Sequence, residues 1–262
     1  MQSGGAGVGS LLINETTLLN PASIVFLPRS TFNYQKNTKS IQEEDDQRDL
    51  DFKEGLSELI SIQDTSTQLK GGLSYTYQNG DEGKRKRLAL SSAGHLGKDL
   101  AMGIIYKYTQ EESEIIDNDY HQFTLGFTQV LSENMTFGLI IVDPFNKIPE
   151  YSHALLGVQY NLNEFIQFLA DVGSGDNANL DKEAISKLAI QINSFEYFYF
   201  RYGRFHDKYL NEKGASFGLS WVGPKFSVDY AIKNAEIIEE KSDRLFTDDK
   251  FIETSFAVSI LF

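Results

Sequence analysis

The sequence predicts an all-β fold, a single transmembrane antiparallel β-barrel, and three observations carry that prediction. Apolar and polar residues alternate with a period of two through most of the chain, the periodicity of strands with one apolar face. The alternating segments run mostly nine to twelve residues, close to the ~9–11 needed to cross a bilayer at a tilt. The connections alternate between short and long, the asymmetry of barrels with tight turns at one end and loops at the other.

Composition agrees with strands. The 262 residues are 13% aromatic, with 19 Phe, 13 Tyr and 21 Gly and no cysteine, a mixture that suits a large β domain with aromatic anchors. Without cysteine there is no disulfide and no thiolate metal site. The net charge of −13 argues against a nucleic-acid partner, which requires a basic face to neutralise phosphates. The longest apolar runs, such as Phe137 to Val142, span a few residues only, far short of the ~18 of a spanning helix. Residues Met1 to Ser10 (MQSGGAGVGS) lack the basic start, apolar core and cleavage site of an export signal. An exported protein would therefore be represented here by its mature chain with an added Met.

In chain order, residues 1–22 form a Gly-rich segment ending in Asn20-Pro21-Ala22, and residues 23–262 form the barrel domain. Thr38 to Thr67 is the least regular stretch, with an acidic run at Glu43 to Asp46 and a segment, Phe52 to Ile60, that suits a short amphipathic helix or a weak strand equally. From Gln68 onward twelve strands are explicit, near 68–78, 86–96, 99–110, 120–131, 134–143, 153–161, 164–172, 183–193, 195–206, 214–222, 225–234 and 251–262. Their apolar faces include Met102, Ile104, Tyr106 and Tyr108, then Phe217, Leu219 and Trp221, then Phe226, Val228 and Tyr230. The opposite faces carry Thr, Ser, Gln and Gly. Twelve strands enclose a lumen too wide for Phe and Leu to fill, so the apolar face is expected to point outward to lipid. Closure also removes the unpaired edges that hydrocarbon cannot satisfy.

The last twelve residues, FIETSFAVSILF, alternate Phe256, Val258, Ile260 and Phe262 on one face and finish on an aromatic. This terminus resembles that of outer-membrane β-barrels, whose last strand is recognised by the barrel-assembly machinery. The resemblance implies a periplasmic end for Phe262, which places the short connections at 97–98, 132–134, 161–163, 193–194 and 222–224 on the periplasmic side. The Asn20-Pro21-Ala22 motif, placed before Ser23 to Phe26, resembles the FadL-type family of hydrophobic-compound transport barrels (PorV-like members included). That resemblance implies an N-terminal plug leading into a first strand. It adds Ile24 to Tyr34 and part of 54–66 as strands, for about fourteen, although the chain is shorter than the family's transporters.

Tyr106, Tyr108, Trp221 and Phe226 lie toward strand ends and are expected as interfacial aromatics. Phe195 to Phe205 is aromatic on both faces, so Tyr197, Tyr199 and Arg201 are candidates for lining the lumen or packing on the plug. His95, His121, His153 and His206 show neither metal spacing nor a nucleophile signature, so no catalytic, cofactor or metal residue is assigned. The acidic segments 43–46, 111–119 and 236–248 supply oxygen ligands of a kind suited to cations bridging to lipopolysaccharide, but lack an EF-hand frame and read as solvated loops. The expected function is a porin-like channel or transporter for small or hydrophobic molecules in the Gram-negative bacterial outer membrane. The alternatives are a structural barrel with a closed lumen that self-associates into a homo-oligomer, enclosing lipid, and, ranked last, an outer-membrane hydrolase. Its partners would be outer-membrane lipid, lipopolysaccharide and the assembly machinery.

Overall fold

The computed structural model describes residues 6–10, 19–42, 55–80, 83–112, 117–145, 152–175, 180–238 and 250–262. Fourteen strands close one antiparallel barrel in sequence order. They are β1 Thr31–Gln42, β2 Gly55–Asp64, β3 Lys70–Gly80, β4 Gly83–His95, β5 Leu100–Glu112, β6 Asp117–Ser132 and β7 Met135–Val142. The second half holds β8 His153–Asn161, β9 Ile166–Gly175, β10 Ala184–Ser194, β11 Phe198–Asp207, β12 Glu212–Val222, β13 Phe226–Ile237 and β14 Lys250–Leu261. β1 pairs with β14 from Thr31↔Leu261 to Gln42↔Lys250, which leaves no edge unpaired. The terminus is clipped by its main chain: Ser30 N–H donates to the Phe262 carbonyl at 3.1 Å, and Phe262 N–H to the Ser30 carbonyl at 3.0 Å.

The apolar face points outward. Ile60, Leu90, Leu156, Phe217, Tyr230 and Ile260 are exposed, while Asn33, Ser61, Thr124, Thr128, Asp171 and Ser220 on the opposite parity are buried. Moving a Leu or Phe side chain out of water is worth ~1.5–3 kcal/mol. A continuous outward belt of such residues is therefore stable only against an apolar surrounding. No helix among the described residues is long and apolar enough to cross a membrane; the strands carry the apolar band.

Connections between Asp64 and Lys70, His95 and Leu100, Ser132 and Met135, Asn161 and Ile166, Ser194 and Phe198, and Val222 and Phe226 lie at one end, together with Thr31 and Leu261. We call this the short-turn end and the opposite one the long-loop end. Of the two possibilities for Phe52 to Ile60, the described part, from Gly55, is strand.

Two expected strands begin later than their composition suggests. Instead of extending from Ile24, β1 starts at Thr31, and Pro21–Phe26 forms a 3-10 helix. Pro21 presets the helical φ, Asn20 caps the first turn by accepting from Ala22 N–H, and Ala22, Ile24 and Val25 are buried. The boundary expected at residues 22 and 23 thus falls inside this helix. The aromatic strand expected from Phe195 starts at Phe198 because Phe195 (φ 53°) and Glu196 (φ 61°) turn the chain through the left-handed region.

Candidate functional site

The inner wall of β5 to β8 carries Gly103, Gly126, Gly138 and Gly157 at lumen-facing positions. Gly103 pairs with Gly126 and Gly138 with Gly157, and Gly138 also pairs with Thr128 of β6. Each glycine admits atoms of the N-terminal segment, main chain at Gly103, Gly138 and Gly157 and the Asn20 and Pro21 side chains at Gly126, at a distance no Cβ would allow. A Cβ on Gly103 would sit 2.7 Å from Ala22 N, and one on Gly126 2.6 Å from Pro21 Cδ. On Gly138 it would collide with the Val8 carbonyl, and on Gly157 it would lie 2.6 Å from Gly9 N. Glycine weakens a strand interior, and a close approach by another backbone is the usual reason for it there.

Three polar side chains hold the segment against the wall. Asn20, fully buried, shares its amide protons among the Val8 carbonyl at 2.8 Å, the Phe127 carbonyl at 3.0 Å and Thr128 Oγ1 at 3.1 Å. Its Oδ1 accepts from Ala22 N–H at 3.1 Å. Asp171 of β9 accepts at Oδ2 from Gly7 N–H at 2.7 Å and Val8 N–H at 3.1 Å. Lys70 of β3 donates to the Val25 carbonyl at 2.6 Å. Apolar contacts complete the docking: Val8 packs with Ile140, Leu155 and Ile185, and Ala22 and Val25 with Ala93 and Ala101.

Across the lumen face of β10 to β13, Arg201 is buried in a polar cluster. It donates through Nε to Gln191 Oε1 at 2.6 Å and through Nη1 to Ser220 Oγ at 2.8 Å. Asp229 Oδ1 lies 3.6 Å from Nη1 and accepts from Ser220 Oγ. A buried charge pair is tolerated when its donors and oxygens are hydrogen-bonded in this way. Toward the long-loop end, Lys233 lies between Glu212 (2.9 Å) and Glu253 (3.5 Å). The Phe251 ring has the Lys39 ammonium 4.0 Å and the Lys233 ammonium 5.2 Å from its centroid. Arg85 pairs with Glu111, and Lys187 with Asp207 at 3.6 Å. The lumen wall is therefore polar, with these charges paired within it, and the N-terminal segment supplies its apolar filling on one side.

The residues singled out from the sequence fall as follows. Asn20, Pro21 and Ala22 sit on the glycine seam. Arg201 and the half-buried Tyr199 face the lumen, whereas Tyr197 lies in the turn before β11 and is exposed. Phe256, Val258, Ile260 and Phe262 are on the outward face of β14 and its end. Tyr106 and Tyr108 face outward toward the long-loop end, where Tyr106 Oη and His121 Nδ1 are 2.7 Å apart and Tyr108 donates to Asp119 at 3.0 Å. Trp221 and Phe226 meet at the short-turn end, with centroids 4.7 Å apart. The histidines are dispersed: His95 meets Phe26, His121 the two tyrosines and His153 Tyr209, while His206 lies on β11. Of the acidic segments 43–46, 111–119 and 236–248, residues 43–46, 113–116 and 239–248 lie outside the described residues. The glycine seam, Asp171 and the Ser220–Asp229 pair are unannounced in the sequence except as polar or Gly positions at inward parity.

The fold and lumen together define an apolar-out β-barrel whose N-terminal segment docks on its inner wall. Solved structures of similar fold include the CymD monoaromatic hydrocarbon channel, with a TM-score of 0.72 and 11% identity over 98% of this chain and 94% of that one. The toluene transporter TodX of Pseudomonas putida is similar at 0.72 and 10% identity, over 100% of this chain and 98% of that one. A Pseudomonas aeruginosa FadL homologue gives 0.61 and 12% identity, over 100% and 98%. The FadL-type resemblance of the sequence thus holds at the level of fold. No protein-family model and no curated protein matches the chain.

Proposed function

We propose that the protein is a channel for small apolar molecules in the bacterial outer membrane, with the short-turn end periplasmic and the docked N-terminal segment acting as a plug. The observation that supports this most is the glycine seam: four strands give up side chains to receive the chain around Asn20 and Val8. A barrel wall built only for stability would fill those positions. The shared architecture with a monoaromatic hydrocarbon channel and a toluene transporter supports the choice of substrate class. Partners on this reading are outer-membrane lipid and the barrel-assembly machinery, and no catalytic step is assigned.

The test is uptake of radiolabelled toluene by cells that lack their own hydrocarbon channel. Cells expressing the protein should accumulate label faster than vector controls, and deletion of residues 1–22 should raise ion conductance in planar bilayers. Uptake equal to the vector control refutes the substrate class. Conductance unchanged by the deletion refutes the plug.

A further inference from the structure

The outward wall of β10 to β14 carries a concavity of about 730 Å³ near the long-loop end. Two successive rungs of the sheet build it. The upper rung runs Ser186–His206–Lys213–Glu236–Lys250, each residue the register partner of the next. The lower one runs Leu188–Arg204–Ala215–Asn234–Ile252 in the same way. Short side chains at Ala215 and Asn234 form the floor, and longer ones rise around it.

Charge here runs against the chain as a whole. The net charge of the protein is −13, yet these rungs hold three cations, Arg204, Lys213 and Lys250, against the single carboxylate of Glu236. Lys213 pairs with Glu236 at 3.0 Å on the open surface, where such a pair is worth little. Among the described residues no carboxylate lies within ion-pair distance of Arg204 or Lys250. From the lower rung downward the wall turns apolar, with Leu188 and Ile252 exposed on the rung of Arg204 and Tyr202 exposed one step beneath. A ligand here must offer anionic oxygens at one level and hydrocarbon beneath. Guanidinium and ammonium groups at the margin of an apolar belt extend to the headgroup level and bind phosphate by charge-assisted hydrogen bonds.

We propose that this concavity is a binding site for the phosphorylated headgroup of an outer-leaflet lipid, a lipid A phosphate, whose acyl chains lie along Leu188, Tyr202 and Ile252. The site rests on the membrane orientation proposed above, which puts the long-loop end in the outer leaflet, but not on transport. Arg204 and Lys250 hold the phosphate, with Lys213 and His206 flanking it.

The test uses the full-length protein in mild detergent and native mass spectrometry with three probes: diphosphoryl lipid A, a dephosphorylated counterpart with the same acyl chains, and inorganic phosphate as competitor. The wild type should bind the diphosphoryl lipid at least about tenfold more tightly than the dephosphorylated one. Arg204→Gln/Lys250→Gln should lose that margin, while Lys84→Gln/Lys86→Gln on the outer face of β4 should keep it. Ala215→Trp fills the floor without changing charge and should also abolish binding. All variants must show the heat-modifiable migration of a closed barrel. Equal binding of the two lipids, or full binding by the Arg204/Lys250 double variant, overturns the site. Displacement of the lipid by inorganic phosphate at comparable concentration overturns the lipid assignment. Toluene uptake is read separately, so the transport reading can fail while this one stands.

Discussion

Gly126→Val separates docking of the N-terminal segment from formation of the barrel. Valine favours a strand, so β6 itself gains. Its Cβ, however, would lie 2.6 Å from Pro21 Cδ and overlap Asn20 Oδ1, against a carbon contact distance of ~3.5–4.0 Å. The segment must move by about 1 Å, which lengthens the two Asn20 amide bonds to the wall, now 3.0 Å to the Phe127 carbonyl and 3.1 Å to Thr128 Oγ1, beyond hydrogen-bonding range. At about 1 kcal/mol net for each bond, docking weakens by about 2 kcal/mol, roughly thirtyfold in the docked population. Hydrogen exchange of the purified protein reads this directly. Amides in residues 6–10 and 22–27 should lose roughly thirtyfold in protection, while those of β9 to β14 stay as in the wild type. Unchanged protection of the segment would refute the close-approach argument, and failure of the barrel to close would show that the seam is structural for the wall itself.

Arg201→Leu removes the cation 3.6 Å from the buried Asp229 carboxylate and should destabilise the barrel by about 3 kcal/mol; Arg201→Leu/Asp229→Leu should recover most of the loss, read as the temperature at which the heat-modifiable band shifts. Phe195→Asn/Glu196→Gly replaces two left-handed residues with ones that adopt that conformation readily, and should stabilise by about 1–2 kcal/mol per position in equilibrium unfolding; no gain would mean that the turn is not strained. Phe262→Ala removes an exposed outward ring but keeps the main-chain clip to Ser30, so assembly in cells should fall sharply while refolding into detergent micelles proceeds unimpaired. Equal impairment in both settings would count against a recognition role for the terminus.

The sequence by itself sorted the side chains into two faces, because the period of two is a property of each strand alone, and the number of strands put the apolar face outward. Phe256, Ile260 and Phe217 stand outward and Ser220, Asp229 and Ser255 inward, as alternation requires. It also determined the two ends, since connection lengths are local. Legibility failed where local composition and the observed backbone diverge. Ser23 to Phe26 has the β-branched, aromatic make-up of a strand but is a capped 3-10 helix, because its apolar side chains are satisfied against Ala93 and Ala101. Phe195 to Tyr197 continues an aromatic run but is a turn.

Only the tertiary structure decided register. Gly103, Gly126, Gly138 and Gly157 are separated by 12 to 23 positions in the chain, and nothing in any one strand announces that they line up under Asn20 and Val8. The same holds for Arg201 meeting Ser220 and Asp229, and for Arg204 and Lys250 sharing one concavity across four strands. Alternation is set by covalent geometry within a strand, whereas these groupings depend on which residue pairs with which across the ladder and on closure of the barrel, and those are decided by contacts between distant parts of the chain.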